Sequence, residues 1–121
     1  MTKIKDLTKE EIYDHIEILI SNMADYAQLI RERCPLPEGM SAEKLRANYS
    51  FAGRCSDQID MCRTSLTEHM KYCNPEELGK FLTERKERHK NNKYQARATE
   101  SALKEMDSIK FKDKADRKVK A

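Results

Sequence analysis

The sequence contains few of the residues that form turns, and it contains no tryptophan. Its 121 residues include only three glycines and three prolines. A β-sandwich or β-barrel needs many tight turns, and Gly and Pro are prominent among the residues that build them. This scarcity therefore argues against an all-β fold and favours a few long helices.

Long hydrophobic runs are also absent. The longest apolar stretch, near Ile16–Ile20, is far shorter than the roughly 20 residues that span a bilayer. The first eleven residues lack the apolar core of a signal peptide. We therefore expect a soluble, cytoplasmic protein that does not contact membranes. In a reducing cytosol, Cys34, Cys55, Cys62 and Cys73 should be free thiols.

Motifs of catalysis and cofactor binding are missing as well. The sequence has no P-loop, no G-x-G-x-x-G and no Ser-His-Asp order. Cys55, Cys62, His69 and Cys73 share one face of a predicted helix, but eighteen residues of helix span about 27 Å, which no single ion bridges. We therefore predict a non-enzymatic protein with no catalytic residues, no cofactor and no metal site.

Charged residues are abundant, at 37% of the chain, and they are unevenly distributed. Residues 1–79 carry ten Lys/Arg and fourteen Asp/Glu, a balance of −4. Residues 80–121 carry fourteen and seven, a balance of +7. A basic half attached to a mildly acidic one predicts an anionic partner for the basic half.

Hydrophobic spacing predicts the first two helices. Thr8 and Glu11 fit a capping box at the start of a helix over 8–33, which Pro35 ends. Ser41 is a good N-cap for a second helix over 42–73. In both predicted helices, residues suited to a helix–helix interface recur at alternating steps of three and four, and we call each such row a seam. The seam of the first helix is Ile12, Ile16, Leu19, Met23, Tyr26 and Ile30. The seam of the second helix is Leu45, Asn48, Ala52, Cys55, Ile59, Cys62, Leu66, His69 and Cys73.

A third helix is predicted over 75–109. Asn74 is a strong N-cap, and Pro75 suits the first helical position. Residues 110–121 are rich in lysine and lack a core pattern, so we expect a basic, disordered tail. Residues 1–109 would then form one helical domain.

These elements predict an all-α fold. We expect the first two helices, residues 8–73, to form an antiparallel hairpin. The short connection at Asn74 makes the third long helix antiparallel to the second, which gives a three-helix bundle or a coiled-coil-like rod. Helices of this length leave little room for a monomeric core. We therefore expect a homo-oligomer, with a compact monomeric bundle as the alternative.

The third helix carries the candidate site. Its Arg85, His89 and Asn92 occupy seam positions where apolar residues are expected, so this stretch should face water or a polar ligand. Arg pairs with phosphate in a bidentate manner, Lys supplies a point charge, and Tyr94 offers a ring for base stacking. The candidate phosphate-binding residues are Lys80, Arg85, Lys86, Arg88, His89, Lys90, Lys93, Tyr94 and Arg97.

No motif identifies a family, but one stretch carries a resemblance. The order of a helix, a Cys34-Pro35 loop and a helix with Glu43-Lys44-Leu45 and Ala52 resembles phage sponge proteins, which sequester cyclic oligonucleotides. The aromatic and asparagine positions of that family have no clear counterpart here, and we transfer no residue roles from it.

Three functions remain open. The first is a small oligomeric accessory protein whose basic third helix engages a polyanion, above all single-stranded nucleic acid. The second is a protein–protein adapter or inhibitor, of the phage accessory type, that docks on an acidic surface of a larger enzyme. The third is a small-nucleotide-binding protein with pockets at subunit interfaces, which is the function that the resemblance implies.

Overall fold

The computed structural model describes residues 3–33, 41, 43 and 50–112, and this part of the chain is all-helical, as predicted. Its α-helices are α1 (Lys9–Arg33), α2 (Ser50–Met70), α3 (Pro75–Arg88) and α4 (Lys93–Glu105), and 3-10 turns form at Ile4–Asp6 and Met106–Ser108. None of these helices combines the length and apolar character that a membrane crossing requires. The predicted loop after residue 33 and the predicted start of the second helix lie mostly outside the described residues.

Helix α1 begins with the predicted capping box. The Thr8 backbone N–H donates to Glu11 Oε1 at 2.9 Å, and the Glu11 backbone N–H donates to Thr8 Oγ1 at 3.1 Å. These reciprocal bonds satisfy two donors that a helix start otherwise leaves without partners. They also hold the pKa of Glu11 below its ordinary value, chiefly through the backbone bond from Thr8.

Helices α1 and α2 contact each other at both ends. The Arg33 guanidinium, in the last turn of α1, lies 5.5 Å from the ring centroid of Phe51 near the start of α2. The His15 and His69 rings meet near the start of α1 and the end of α2, with Nδ1 of His15 3.0 Å from Nε2 of His69. The beginning of each helix therefore lies beside the end of the other.

The prediction of a single third helix over 75–109 is wrong. Asn74 caps α3 as expected, accepting hydrogen bonds from the backbone N–H groups of Glu76 and Glu77. The chain then turns at residues 89–92, and Asn92 Oδ1 accepts from the N–H groups of Tyr94 and Gln95 at 3.2 Å each. Because a second Asn cap starts a new helix there, α3 and α4 are separate elements that pack on each other.

The core lies where the four helices of the described residues meet. Its buried side chains come from α1, α2, α3, α4 and Cys73, and they are Ile12, Ile16, Ile20, Met23, Leu66, Met70, Cys73, Leu78, Leu82 and Ala102. Ile109 and Phe111 pack against this cluster, and the Lys112 N–H donates to the Lys71 carbonyl at 2.8 Å. Residues 110–112 therefore do not belong to the expected disordered tail, and residues 113–121 lie outside the described part of the chain.

Candidate functional site

Arg85 is not on the surface. Its side chain is 1% exposed, although it was predicted to contact phosphate. Nε donates to Glu17 Oε2 at 2.8 Å, Nη1 donates to Thr99 Oγ1 at 2.7 Å, and Nη2 donates to Gln95 Oε1 at 2.7 Å. The guanidinium thus joins α1, α3 and α4 from inside and offers no exposed face to a ligand.

The network around Arg85 continues onto α1. Thr99 Oγ1 donates in turn to the Gln95 carbonyl at 2.8 Å. Gln95 Nε2 lies 3.4 Å from both Ser21 Oγ and Asp25 Oδ1. A buried charge is tolerated only when it is paired and hydrogen-bonded, and these side chains meet that condition. The arrangement orients three helices and supplies no open position for chemistry.

Three further candidate residues are paired with acids. Lys86 pairs with Glu100 of α4, Arg88 lies 3.5 Å from Glu17, and Lys90 lies 3.1 Å from Glu87. The bond from Lys86 and its charge hold the pKa of Glu100 below its ordinary value. Much of the positive charge at the end of α3 is thus compensated within the chain. It also lies at the negative end of the α3 dipole, which favours cations in any case.

Lys80 and His89 lie away from these pairs. Lys80 is exposed beside a shallow groove of about 320 Å³, which Glu77 and Glu84 also line. Its surroundings are therefore mixed in charge. His89 is half-buried at the end of α3, where its backbone N–H donates to the Arg85 carbonyl at 3.0 Å. Neither residue extends a continuous basic surface.

The last two cations of the candidate set, Lys93 and Arg97, form a stripe with Lys104 along the outer side of α4. Lys93, Arg97 and Lys104 are exposed and follow each other at steps of four and seven residues, which places them on one side of the helix. Within the described part of the chain, none of the three forms an ion pair with an acidic side chain, and only the charge of Lys104 acts on a carboxylate at longer range, that of Glu100. We call these three residues the α4 stripe.

Tyr94 borders the α4 stripe. The Nζ of Lys93 lies 5.3 Å from the centroid of its ring, and the ring is half-buried. An aromatic face beside a cation is the pairing that single-stranded nucleic acids use for stacking and phosphate contact.

The sequence prediction located only part of this stripe. Lys93, Tyr94 and Arg97 were named, but Lys104 was not, because the candidates came from the run of basic residues that ends at Arg97. Steps of four and seven residues place Lys93, Arg97 and Lys104 on one side of a helix, so their common face is visible in the sequence alone.

No metal cluster accompanies the stripe. In the residues that the structure describes, no group of three or more His, Cys, Asp or Glu side chains is placed to hold a metal ion. Cys55 and Cys62 are free thiols on α2, and burial raises the pKa of the Cys62 thiol. A raised pKa favours the protonated thiol, which is neither a good nucleophile nor a metal ligand.

A comparison with known protein families, characterised proteins and solved structures finds no match for this chain. The function proposed below is therefore argued from the residues of this chain.

Proposed function

We propose that this protein acts by binding rather than by catalysis, and that the α4 stripe holds a polyanion, above all single-stranded nucleic acid. One observation carries the proposal. The basic side chains at the end of α3 are paired with acids, whereas Lys93, Arg97 and Lys104 form no ion pair among the described residues. Exposed positive charge that forms no ion pair with the described carboxylates is available to phosphate.

The dimensions of the stripe suit an extended strand. At 1.5 Å per residue, Lys93 and Arg97 are about 6 Å apart along the axis, and Arg97 and Lys104 about 10 Å. Arg97 offers a planar fork to a phosphate, and the two lysines offer point charges. The Tyr94 ring at one edge adds a face on which a base can stack. Binding of this kind reads charge and shape more than sequence.

We also propose the larger assembly that the sequence indicates. The contacts at both ends of α1 and α2 support an antiparallel hairpin, and the hairpin would carry the contacts of a homo-oligomer in the cytoplasm. Oligomerisation would repeat the α4 stripe on each copy and so raise the avidity for a long strand.

The direct test is fluorescence anisotropy of labelled single-stranded DNA and RNA with the full chain at about 50 and 200 mM salt. Three phosphate contacts on a single strand give a salt slope near −2, so affinity should fall about 20-fold over this range. A triple variant, Lys93→Glu, Arg97→Glu and Lys104→Glu, should bind at least tenfold more weakly at the lower salt.

A matched control separates the stripe from net charge. Lys3, Arg31 and Arg54 are exposed cations on other parts of the chain, and changing all three to Glu alters the net charge by the same amount. This control should keep most of the affinity. Equal loss in both triple variants, with unchanged helicity, would show that overall charge rather than the α4 stripe attracts the strand.

The other two functions are outcomes of the same measurement. If no strand binds even at the lower salt, a pull-down with the full chain and the stripe variant tests an acidic protein surface as the partner. If long strands do not bind but cyclic oligonucleotides raise the melting temperature, the chain is a small-nucleotide binder.

A further inference from the structure

Two histidines meet between α1 and α2, away from the α4 stripe. His15 is exposed, whereas His69 is 7% exposed. Nδ1 of His15 lies 3.0 Å from Nε2 of His69, and Nδ1 of His69 lies 2.8 Å from the Ser65 carbonyl oxygen. The rings are arranged edge to face, with centroids 5.1 Å apart.

These contacts fix the tautomer of His69. A carbonyl oxygen only accepts, so Nδ1 of His69 carries the proton that it donates to Ser65. In the neutral ring Nε2 is then an acceptor, and its lone pair points toward His15. Histidines that bind metals typically donate one ring N–H to a group such as a backbone carbonyl and use the other ring nitrogen as the metal ligand.

The separation of the two nitrogens also suits a shared ion. Zinc binds imidazole nitrogens at 2.0–2.1 Å, so two such ligands on a tetrahedral ion are about 3.3 Å apart. The observed 3.0 Å needs to open by only a few tenths of an ångström, and the two rings must turn so that both lone pairs point at an ion beside the line between the nitrogens. His15 must move its ring proton to Nε2, and its exposure to solvent permits that exchange.

We propose that His15 and His69 form a two-histidine site for a divalent transition-metal ion of the Zn²⁺, Ni²⁺ and Cu²⁺ group. Imidazole is a preferred ligand of these ions. Among the described residues, no third His, Cys, Asp or Glu side chain is placed to join these two as a metal ligand. Water molecules would therefore fill the remaining coordination positions of the ion. The bound ion would link α1 to α2 in place of the hydrogen bond between the two rings, and it would stabilise the folded chain. This site is independent of the proposed polyanion binding.

The chain contains three histidines, and His89 lies elsewhere, so it serves as an internal control. Paramagnetic Ni²⁺ is titrated into the metal-free, reduced full chain while the imidazole resonances are recorded by NMR. We expect the signals of His15 and His69 to broaden together, with the signal of His89 unaffected until much higher Ni²⁺. Calorimetry should give one ion per chain, and Ni²⁺ should raise the melting temperature.

Two variants distinguish Ni²⁺ binding by His15 and His69 from Ni²⁺ binding by other side chains of the chain. His15→Gln replaces an exposed side chain, so the fold should persist, and its affinity for Ni²⁺ should fall at least tenfold. His89→Gln should bind as the unchanged chain does. Equal affinity in His15→Gln, broadening of His89 first, an absorption band from thiolate ligation, or no binding at millimolar Ni²⁺ would each overturn the proposal and leave the pair as an interhelical hydrogen bond.

Discussion

Arg85 illustrates why the position of a charged residue cannot be derived from its own helix. Its place on the hydrophobic seam was noted from the sequence, and it was taken to mean exposure or contact with a polar ligand. The structure gives another solution, since the polar partners come from the same chain: Glu17 of α1 and Gln95 and Thr99 of α4. These partners are 68, 10 and 14 residues away, and only tertiary packing brings them together.

Removing the Arg85 side chain should lower the stability of the fold and leave polyanion binding unchanged. Arg85→Met leaves Gln95 and Thr99 without their donor and Glu17 without its buried partner, so we expect a loss of about 2–4 kcal/mol in the free energy of unfolding. Arg88→Met is the matched control. Arg88 is 59% exposed and 3.5 Å from the same carboxylate, so its loss should cost less than about 1 kcal/mol.

Urea denaturation followed by circular dichroism measures both variants. Similar free energies of unfolding for Arg85→Met and the unchanged chain would contradict the assignment of Arg85 to a buried network. A loss of polyanion affinity in a fully folded Arg85→Met would instead return this residue to the binding surface.

Glu11 should give the protein a pH-dependent contribution to stability at the acid end. Its pKa is lowered in the folded chain, first by the hydrogen bond from the Thr8 backbone. A carboxylate of this kind stabilises the fold above its unfolded pKa, and that stabilisation is lost as the pH falls through the lowered pKa. We therefore expect Glu11→Gln to be destabilising at neutral pH and progressively less so below about pH 5.

Denaturation of the two proteins across this pH range gives the difference in unfolding free energy directly. Glu10→Gln is the control, because Glu10 is a neighbouring exposed acid in the same first turn. A difference for Glu11→Gln that stays constant, or grows toward acid, would mean that the capping-box carboxylate is not ionised preferentially in the folded state.

At the scale of the elements, the caps determine the helix boundaries. Thr8, Glu11 and Asn74 were recognised from the sequence, and the structure confirms each of them. Asn92 was noted only as a polar residue at a predicted seam position, and its capacity to cap a new helix was overlooked. Its side-chain oxygen accepts two backbone bonds at the start of α4, which is the chemistry that made Asn74 recognisable.

The Asn92 cap should therefore contribute measurably. Asn92→Ala removes the acceptor for the Tyr94 and Gln95 backbone groups, and we expect a loss of about 1 kcal/mol. Asn91→Ala changes an exposed neighbour in the same turn and should have little effect. Amide hydrogen exchange would show faster exchange in the first turn of α4 for Asn92→Ala. Unchanged exchange there would argue that α3 and α4 are one continuous helix in solution.

At the scale of the whole molecule, the sequence predicted the fold class and most of the core. On α2, the predicted seam residues Ala52, Cys55, Leu66 and His69 are buried. The seam of α1 was less accurate, since Leu19, Tyr26 and Ile30 are only half-buried, while Ala24, which was not predicted, is buried. A coiled-coil seam assumes one partner helix, whereas α1 contacts both α2 and α4, which widens and rotates its buried face.

The sequence indicated which stretch of the chain is rich in basic residues, but not which of those residues are exposed and without an acidic partner among the described residues. The basic residues lie in the part of the chain that the sequence indicated, yet the structure pairs those at the end of α3 with acids. The pairing depends on Glu17 and Glu100, and the relevant contacts follow from how α1 and α4 pack against α3. A one-dimensional count of charge does not contain that information.

Self-association remains a prediction, and α1 suggests where it occurs. Ile18 and Leu29 lie on the side of α1 that turns away from Ile16 and Ile20, and Tyr26, eight residues after Ile18, lies at the edge of that side. Ile18 is 55% exposed, and Tyr26 and Leu29 are half-buried. A second apolar stripe on a helix is the feature expected where a second copy packs.

Sedimentation velocity over a wide concentration range tests this interface. We expect a mass above the 14.2 kDa of one chain and a melting temperature that rises with concentration. Ile18→Lys should shift the population to monomer without unfolding it, because the side chain is already largely exposed. Gln58→Lys makes the same change of charge at an exposed site on α2 and should leave the assembly intact. A single 14.2 kDa species at every concentration would mean that the core of one chain suffices for a monomer, and that a long strand is bound by one α4 stripe without avidity.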